Sequence, residues 1–240
     1  MAPFFFAYFY GMDKMIRDLV DHMSDFITEK RLALFKQVIA DRTRYITVLL
    51  EDIYQSQNAS AVLRTCDCTG VQDVHIVEEQ NAYEINREVA LGSNQWLSLH
   101  YYNKGSDNIY RGIKALKKQG YRIVATSPHK DGSTPETFNL ERGKAALLFG
   151  TELSGLTDRA MELADEYIQI PMVGFTESYN ISVSAALTLY TLRKRLELSS
   201  LDWKIGEDEQ TELLLDWLRT TIKLSEKIEN KFIKEYRPDF

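Results

Sequence analysis

The chain has 240 residues, 44% hydrophobic and 27% charged, and a net charge of -6. That is enough length for one sizeable core, and too acidic for indiscriminate binding to nucleic acid, although a local basic face remains open. Cys66 and Cys68, in "TCDCTG", have no second pair nearby to complete the four ligands of a structural zinc, so no metal is expected and both read as ordinary thiols of a cytoplasmic protein.

The chain begins "MAPFFFAYFYGM", where six of the seven residues Phe4 to Tyr10 are aromatic. The run is far shorter than the roughly 20 residues of a membrane span. It has no basic segment before it and no small-residue cleavage site after it, so neither a membrane span nor a signal peptide is expected. We expect the native start at Met12 or Met15 and set 1–12 apart; the competing reading is a sticky anchor or interface segment. Ile16, Leu19, Val20, Met23, Phe26 and Ile27 recur at spacings of three and four, and "EKRLALFKQVIADR" continues the pattern, so 13–44 reads as a helical extension.

From residue 45 strands alternate with helices. "RYITVLLEDI" is a buried strand, and "NASAVLRTCDCTG" a helix closed by Gly70. "VQDVHIVEE" is a strand and "SDNIYRGIKALKKQG" a helix. The strands "YRIVATSP" and "KAALLFG" follow, then the helix "TDRAMELADE" with Thr157 as N-cap, the strand "YIQIPMV" and the helix "NISVSAALTLYTLRKRLE". This order predicts an α/β fold over 45–197, with a mostly parallel sheet covered by helices on both faces.

Residues 198–240 form a C-terminal helical extension. Within it 205–237 reads as one amphipathic helix that docks through Leu214, Leu218, Ile228 and Phe232. Arg219, Lys223, Lys227 and Lys231 recur every four residues, predicting one basic stripe. Residues 217–237 hold six basic and three acidic side chains, and residues 30–44 five and one, against the acidic trend of the chain. Such stripes are usually solvated faces; two of them flanking a site would also suit a phosphate backbone.

Three polar clusters follow apolar strands, where open α/β sheets bind ligands: "NASAVLR", "FGTELSGL" and "IPMVGFTESYNISVSAAL". No GxGxxG follows the first strand and no GxxxxGK[ST] occurs, which disfavours a plain dinucleotide-binding dehydrogenase and a P-loop nucleotide triphosphatase. Gly150 ends an apolar strand, where a missing side chain lets a ligand approach the backbone. Pro171 removes an amide donor, so the strand there cannot be fully laddered. Ser178 and Asn180 read as helix caps or as site residues.

Together the clusters resemble the three motifs of the SPOUT methyltransferases, and within them the TrmH-type tRNA/rRNA ribose 2'-O-methyltransferases. Asn58, Ala61 and Arg64 match N-x-x-A-x-x-R. Phe149, Gly150, Glu152, Gly155 and Leu156 match F-G-x-E-x-x-G-L. Ile170, Pro171, Met172 and Gly174, then Ser178, Asn180 and Ser182, match I-P-M-x-G and S-x-N-x-S. The resemblance implies a deep trefoil knot in the C-terminal part of the sheet and a homodimer. It implies S-adenosylmethionine held mainly by backbone at Gly150, Ile170 and Tyr179, with Thr126, Met172 and Asn180 beside it. It makes Arg64 the residue that deprotonates or stabilises the attacking ribose hydroxyl, with Asn58, Glu152, Ser178 and Asn180 orienting the reactants, and RNA the substrate. Arg64 and the stripe Arg219, Lys223, Lys227 and Lys231 become candidate RNA contacts. Tyr179 stands where leucine is usual, and "YQSQN" lacks a proline common before Asn58; both bear on the RNA target more than on the chemistry. About 40 residues precede the first strand, too few for the separate RNA-binding domain of the 23S rRNA relatives, so a guanosine in the tRNA D-loop is the expected target. 23S rRNA, or RNA binding without catalysis, is the alternative.

Overall fold

The structure, a computed structural model, describes residues 3–79, 86–151 and 154–236, with residues 3–13 and 87 by backbone alone. In chain order the elements are α1 (Pro3–Ser24), α2 (Glu29–Ile39), β1 (Ile46–Glu51), α3 (Ser56–Thr69), β2 (Asp73–Val77), a single turn α4 (Arg87–Ala90), β3 (Ser98–Tyr102), α5 (Asn108–Lys118), β4 (Arg122–Thr126), β5 (Ala145–Phe149), α6 (Asp158–Leu163), β6 (Glu166–Ile168), α7 (Ile181–Glu197), α8 (Glu207–Thr221) and α9 (Ser225–Glu235). They divide into two units, Thr43–Trp203 and a second built from both ends of the chain, Met1–Arg42 with Lys204–Phe240.

The larger unit is a parallel sheet of order β3-β2-β1-β5-β4-β6. Every residue of β1, β2 and β5 is buried, because helices cover both faces. Val48, Leu50 and Leu147 point to the face where α3 brings Val62, Leu63 and Cys66, and α7 brings Ala185, Leu189 and Leu192. Their neighbours Leu49 and Leu148 point to the other face, against Ile113 and Leu116 of α5 and Ala160 of α6. The first and last residues of the unit are joined: Thr43 Oγ1 donates to the Trp203 carbonyl at 2.5 Å and accepts from Tyr45 N at 2.9 Å.

The strand β3 was not foreseen. It is the sheet edge, and "SLHYY" is only half-buried, so it lacks the apolar run of its neighbours. Its side chains complete a polar cluster with β2. His75 is buried and stacks on His100 at 4.6 Å, with Nδ1 3.0 Å from the Tyr102 hydroxyl. Asp73 takes His100 Nε2 at 2.9 Å and Arg44 Nε at 2.8 Å. The β6 strand stops at Ile168, before "IPMV", in keeping with the missing donor at Pro171.

The smaller unit packs α1 against α8 and α9, and α2 against α8. Leu19, Val20, Met23, Phe35, Ile39, Leu214 and Leu218 are among its buried residues, with the rings of Phe35 and Trp217 meeting edge-on at 5.4 Å. The helix α1 runs from Pro3 through the boundary drawn at residue 12, and a break separates it from α2, which Thr28 caps through Arg31 N. The expected single helix over 205–237 is two helices. Ile222 is extended and Leu224 takes a left-handed φ of 60°, while Ser225 Oγ donates to the Arg219 carbonyl across the break. The basic stripe is therefore interrupted. Arg219 lies on α8, where Glu229 grips it at 3.0 and 2.6 Å and Asp216 at 2.9 Å; Lys223 is in the break; Lys227 and Lys231 are on α9.

Burial and the neighbouring His100 hold the His75 pKa down to about 4, from an ordinary 6.5, against the opposing pull of Asp73. The folded protein thus binds fewer protons there than the unfolded chain. The contribution of His75 to stability should be constant above pH 6.5 and fall as pH drops from 6.5 to about 4, by at most roughly 3 kcal/mol. Denaturant titrations across this range should show the fall, and His75→Gln should flatten it.

Candidate active site

Parallel strands all end on one side of the sheet, and the loops after β4, β5 and β6 meet there. They enclose a cavity of about 250 Å³ lined by Thr126, Gly150, Ile170, Met172, Ser178 and Tyr179, all named from sequence. Ser127, Ser154, Ser184 and Thr188 add polar lining that was not foreseen. The signal for the last two was present: Ser184 and Thr188 sit four apart on one face of α7, one turn after Asn180.

Each wall has a local cause. After β5 the chain turns back on itself, with Thr151 N and the Gly155 carbonyl 2.9 Å apart and the reverse pair at 3.0 Å. Gly155 takes φ 70°, which glycine tolerates without strain. A Cβ on Gly150 would stand 2.1 Å from the Gly155 oxygen, so only glycine lets this turn fold over the strand end. Thr126 Oγ1 donates to the Leu148 carbonyl at 2.7 Å and pins the end of β4 to β5. After β6, Gln169 N still reaches Ser133 O at 2.9 Å; among the described residues no backbone hydrogen bond then serves Ile170, Met172 or Tyr179. Unpaired backbone groups beside a cavity suit a ligand with its own donors and acceptors.

The first and third motifs are joined directly. Asn180 Nδ2 donates to Asn58 Oδ1 at 3.1 Å, and Asn58 Nδ2 donates to Gln55 Oε1 at 3.0 Å. Gln55 was not singled out from sequence; its role appears only once α3 places it one turn from Asn58. Asn180 Oδ1 also caps α7, accepting from Ser182 N at 2.9 Å and Ser182 Oγ at 2.6 Å. Asn180 is therefore a helix cap and a bridge to Asn58 at once. Neither Asn180 nor Asn58 lines the cavity itself. Arg64 is exposed on α3 and, among the described residues, makes no hydrogen bond or ion pair, which leaves its guanidinium available. Glu152 lies outside the described residues.

Among the described residues no cluster of three His, Cys, Asp or Glu is placed to hold a metal, and no helix is long and apolar enough to cross a membrane. The arrangement presents open backbone and small hydroxyls around a cavity, with the Arg64 guanidinium on the neighbouring motif. It suits binding and aligning two reactants, and His129 also stands in the cavity lining.

Gly150→Ala should cost roughly 1–3 kcal/mol in denaturant unfolding, because the turn must shift to admit a methyl group. Gly174→Ala, where nothing lies within 4 Å, should be neutral.

Comparison with known proteins is consistent with this geometry. Residues 45–190 match the SpoU rRNA Methylase family. A tRNA (guanosine(18)-2'-O)-methyltransferase of Borreliella burgdorferi is 43% identical over 223 residues, covering 91% of this chain and 98% of the relative. One of Thermus thermophilus is 33% identical over 194 residues, covering 80% of this chain and 97% of the relative. Among solved structures, the A. aeolicus TrmH/SpoU tRNA modifying enzyme superposes with a TM-score of 0.71 at 29% identity, covering 81% of this chain and 98% of the other.

Proposed function

The chain is a methyltransferase belonging to the SpoU family, and we propose that it methylates the ribose 2'-hydroxyl of a tRNA guanosine, that of the D-loop, with S-adenosylmethionine as donor. The observation that carries this reading is the cavity at the ends of β4, β5 and β6, walled by two of the three motif loops and joined to the third motif through Asn58 and Asn180. The names of the relatives from B. burgdorferi and T. thermophilus support the guanosine and the tRNA. A cytoplasmic location follows from that substrate.

The cavity fits the donor. Ile170, Met172 and Tyr179 offer backbone groups to an adenine and ribose, Gly150 keeps the floor clear, and Met172 and Phe149 give apolar lining. When bound, S-adenosylmethionine supplies an electrophilic methyl group. The work of the chain is then positional. Holding two reactants in line supplies about 7–11 kcal/mol in favourable cases. Arg64 keeps its charge, since a guanidinium pKa above about 12 makes it a poor base. It binds the phosphate next to the target ribose and stabilises the alkoxide that develops on the 2'-oxygen. Asn58, held by Gln55 and Asn180, orients the ribose together with Ser178 and Glu152.

We read the β4–β6 segment, with the chain passing from β6 into α7, as a trefoil knot. We also read the enzyme as a homodimer. Val183, Leu187 and Tyr190 lie at spacings of four and three on one exposed stripe of α7, and Val173 and Phe175 in the preceding loop are fully exposed at 105% and 109%. A second copy would cover them. Residues 45–197 carry the reaction, and the helices of 13–44 and 198–240 contact RNA. Of the basic stripe, Lys223, Lys227 and Lys231 are exposed; Arg219 contributes less, being held by Glu229 and Asp216.

Calorimetry with S-adenosylmethionine should give a micromolar Kd, about -7 to -8 kcal/mol; no heat at millimolar ligand would sink the reading. With labelled donor and total tRNA, the label should map to a D-loop guanosine 2'-oxygen. Arg64→Ala should abolish transfer and spare donor binding, whereas retention of more than about a tenth of turnover, a loss under about 1.4 kcal/mol, would remove Arg64 from its role. Changing Lys223, Lys227 and Lys231 to Glu should weaken tRNA binding and flatten its log–log salt slope by about one for each phosphate that is no longer neutralised. Filter binding across a salt series measures both, and an unchanged slope would make the three lysines a solvated face.

A further inference from the structure

Glu51, the last residue of β1, is buried at 1% exposure. Its carboxylate accepts two hydrogen bonds from one residue 106 positions away: Thr157 N at 2.9 Å and Thr157 Oγ1 at 2.6 Å. The Thr157 hydroxyl in turn accepts from Ala160 N at 3.2 Å and so caps α6. No cation pairs with Glu51 among the described residues. The charges near it, Asp52 and Glu79, are acidic, and burial pushes its pKa above the usual carboxylate value. Keeping a carboxylate here opposes stability at neutral pH, because the folded state favours the protonated form. The two Thr157 hydrogen bonds favour the charge but burial outweighs them, so folding alone is a weak reason for a charge at this position.

The geometry supplies one. Thr157 ends the loop that begins at Gly150, and Gly150, Thr151, Ser154, Gly155 and Leu156 of that loop wall the cavity. The near end of the loop is closed by the Thr151–Gly155 pair. Its far end is tied to the sheet at Thr157. A buried carboxylate taking a backbone amide and a hydroxyl together fixes both position and direction there, with charge-assisted bonds stronger than neutral ones. We propose that Glu51 is a positioning residue for the donor site, holding Gly155 and Leu156 at the separation from β6 that the ligand requires. This rests on reading the cavity as the S-adenosylmethionine site.

The test uses the full chain, Glu51→Ala and Glu51→Gln, well below the unfolding transition. There nearly all molecules are folded, so global stability does not enter the Kd and a merely structural role would leave it unmoved. Glu51→Ala should weaken S-adenosylmethionine about tenfold, or about 1.4 kcal/mol. Without ligand it should speed hydrogen exchange of the amides in 150–157 while leaving β1 and β5 protected. Glu51→Gln can accept from Thr157 N and donate to Thr157 Oγ1, so it should rescue binding to within about threefold. An alanine variant that binds the donor as tightly as the unmodified chain, or whose loop exchanges no faster, overturns the inference alone. Failure of the unmodified protein to bind at millimolar donor overturns the pocket reading and the inference with it.

Discussion

Helices on both faces of a parallel sheet leave little room for polar chemistry except at the strand ends. Every residue of β1, β2 and β5 is buried, so the middle of the sheet is mostly aliphatic, and its polar members Thr47, Asp73 and His75 are each hydrogen-bonded. Polar groups are expensive inside such a core, and they gather where the strands run out. Because the strands are parallel, their carboxyl ends coincide, and residues distant in sequence meet without any loop having to travel far. Asn58 and Asn180 are 122 positions apart and share a hydrogen bond for this reason.

The same constraint governs what could be read in advance. Strands buried on both faces announce themselves as apolar runs, and β1, β2, β4 and β5 were legible. The edge strand β3 was not, since exposure on one side erases the run. The motif residues were legible because residue type and spacing carry them, yet their division of labour was not. Asn180 turned out to be cap and bridge at once, and the cap signal alone gave no hint of Asn58 as partner. Gln55 and Glu51 were illegible for a related reason: each acts on a residue brought near only by the fold.

The helical breaks show the opposite limit. No glycine or proline marks the break at Ile222–Leu224, and the apolar period runs straight through it. What favours the break lies in the folded state: Glu229 reaches back to Arg219, Ser225 satisfies the Arg219 carbonyl, and Phe232 of α9 stacks on His22 of α1 at 5.1 Å. Tertiary interactions of this size outweigh the cost of a left-handed leucine, about 1–2 kcal/mol. A periodicity argument sees only the local term.

The smaller unit joins segments from both ends of the chain, and this has a consequence for the order of events during synthesis. Leu19, Val20 and Met23 of α1 leave the ribosome long before α8, the helix they are buried with. All of residues 43–203 must be made in between, which at about 5–20 residues per second takes roughly 8–30 s. Over that interval the amphipathic helices α1 and α2 have no native partner and must wait with apolar faces uncovered, while the intervening segment can already build its sheet. Completion of the terminal unit therefore reports that translation has passed Leu218, and the nascent chain is most exposed to misassociation at the end it made first.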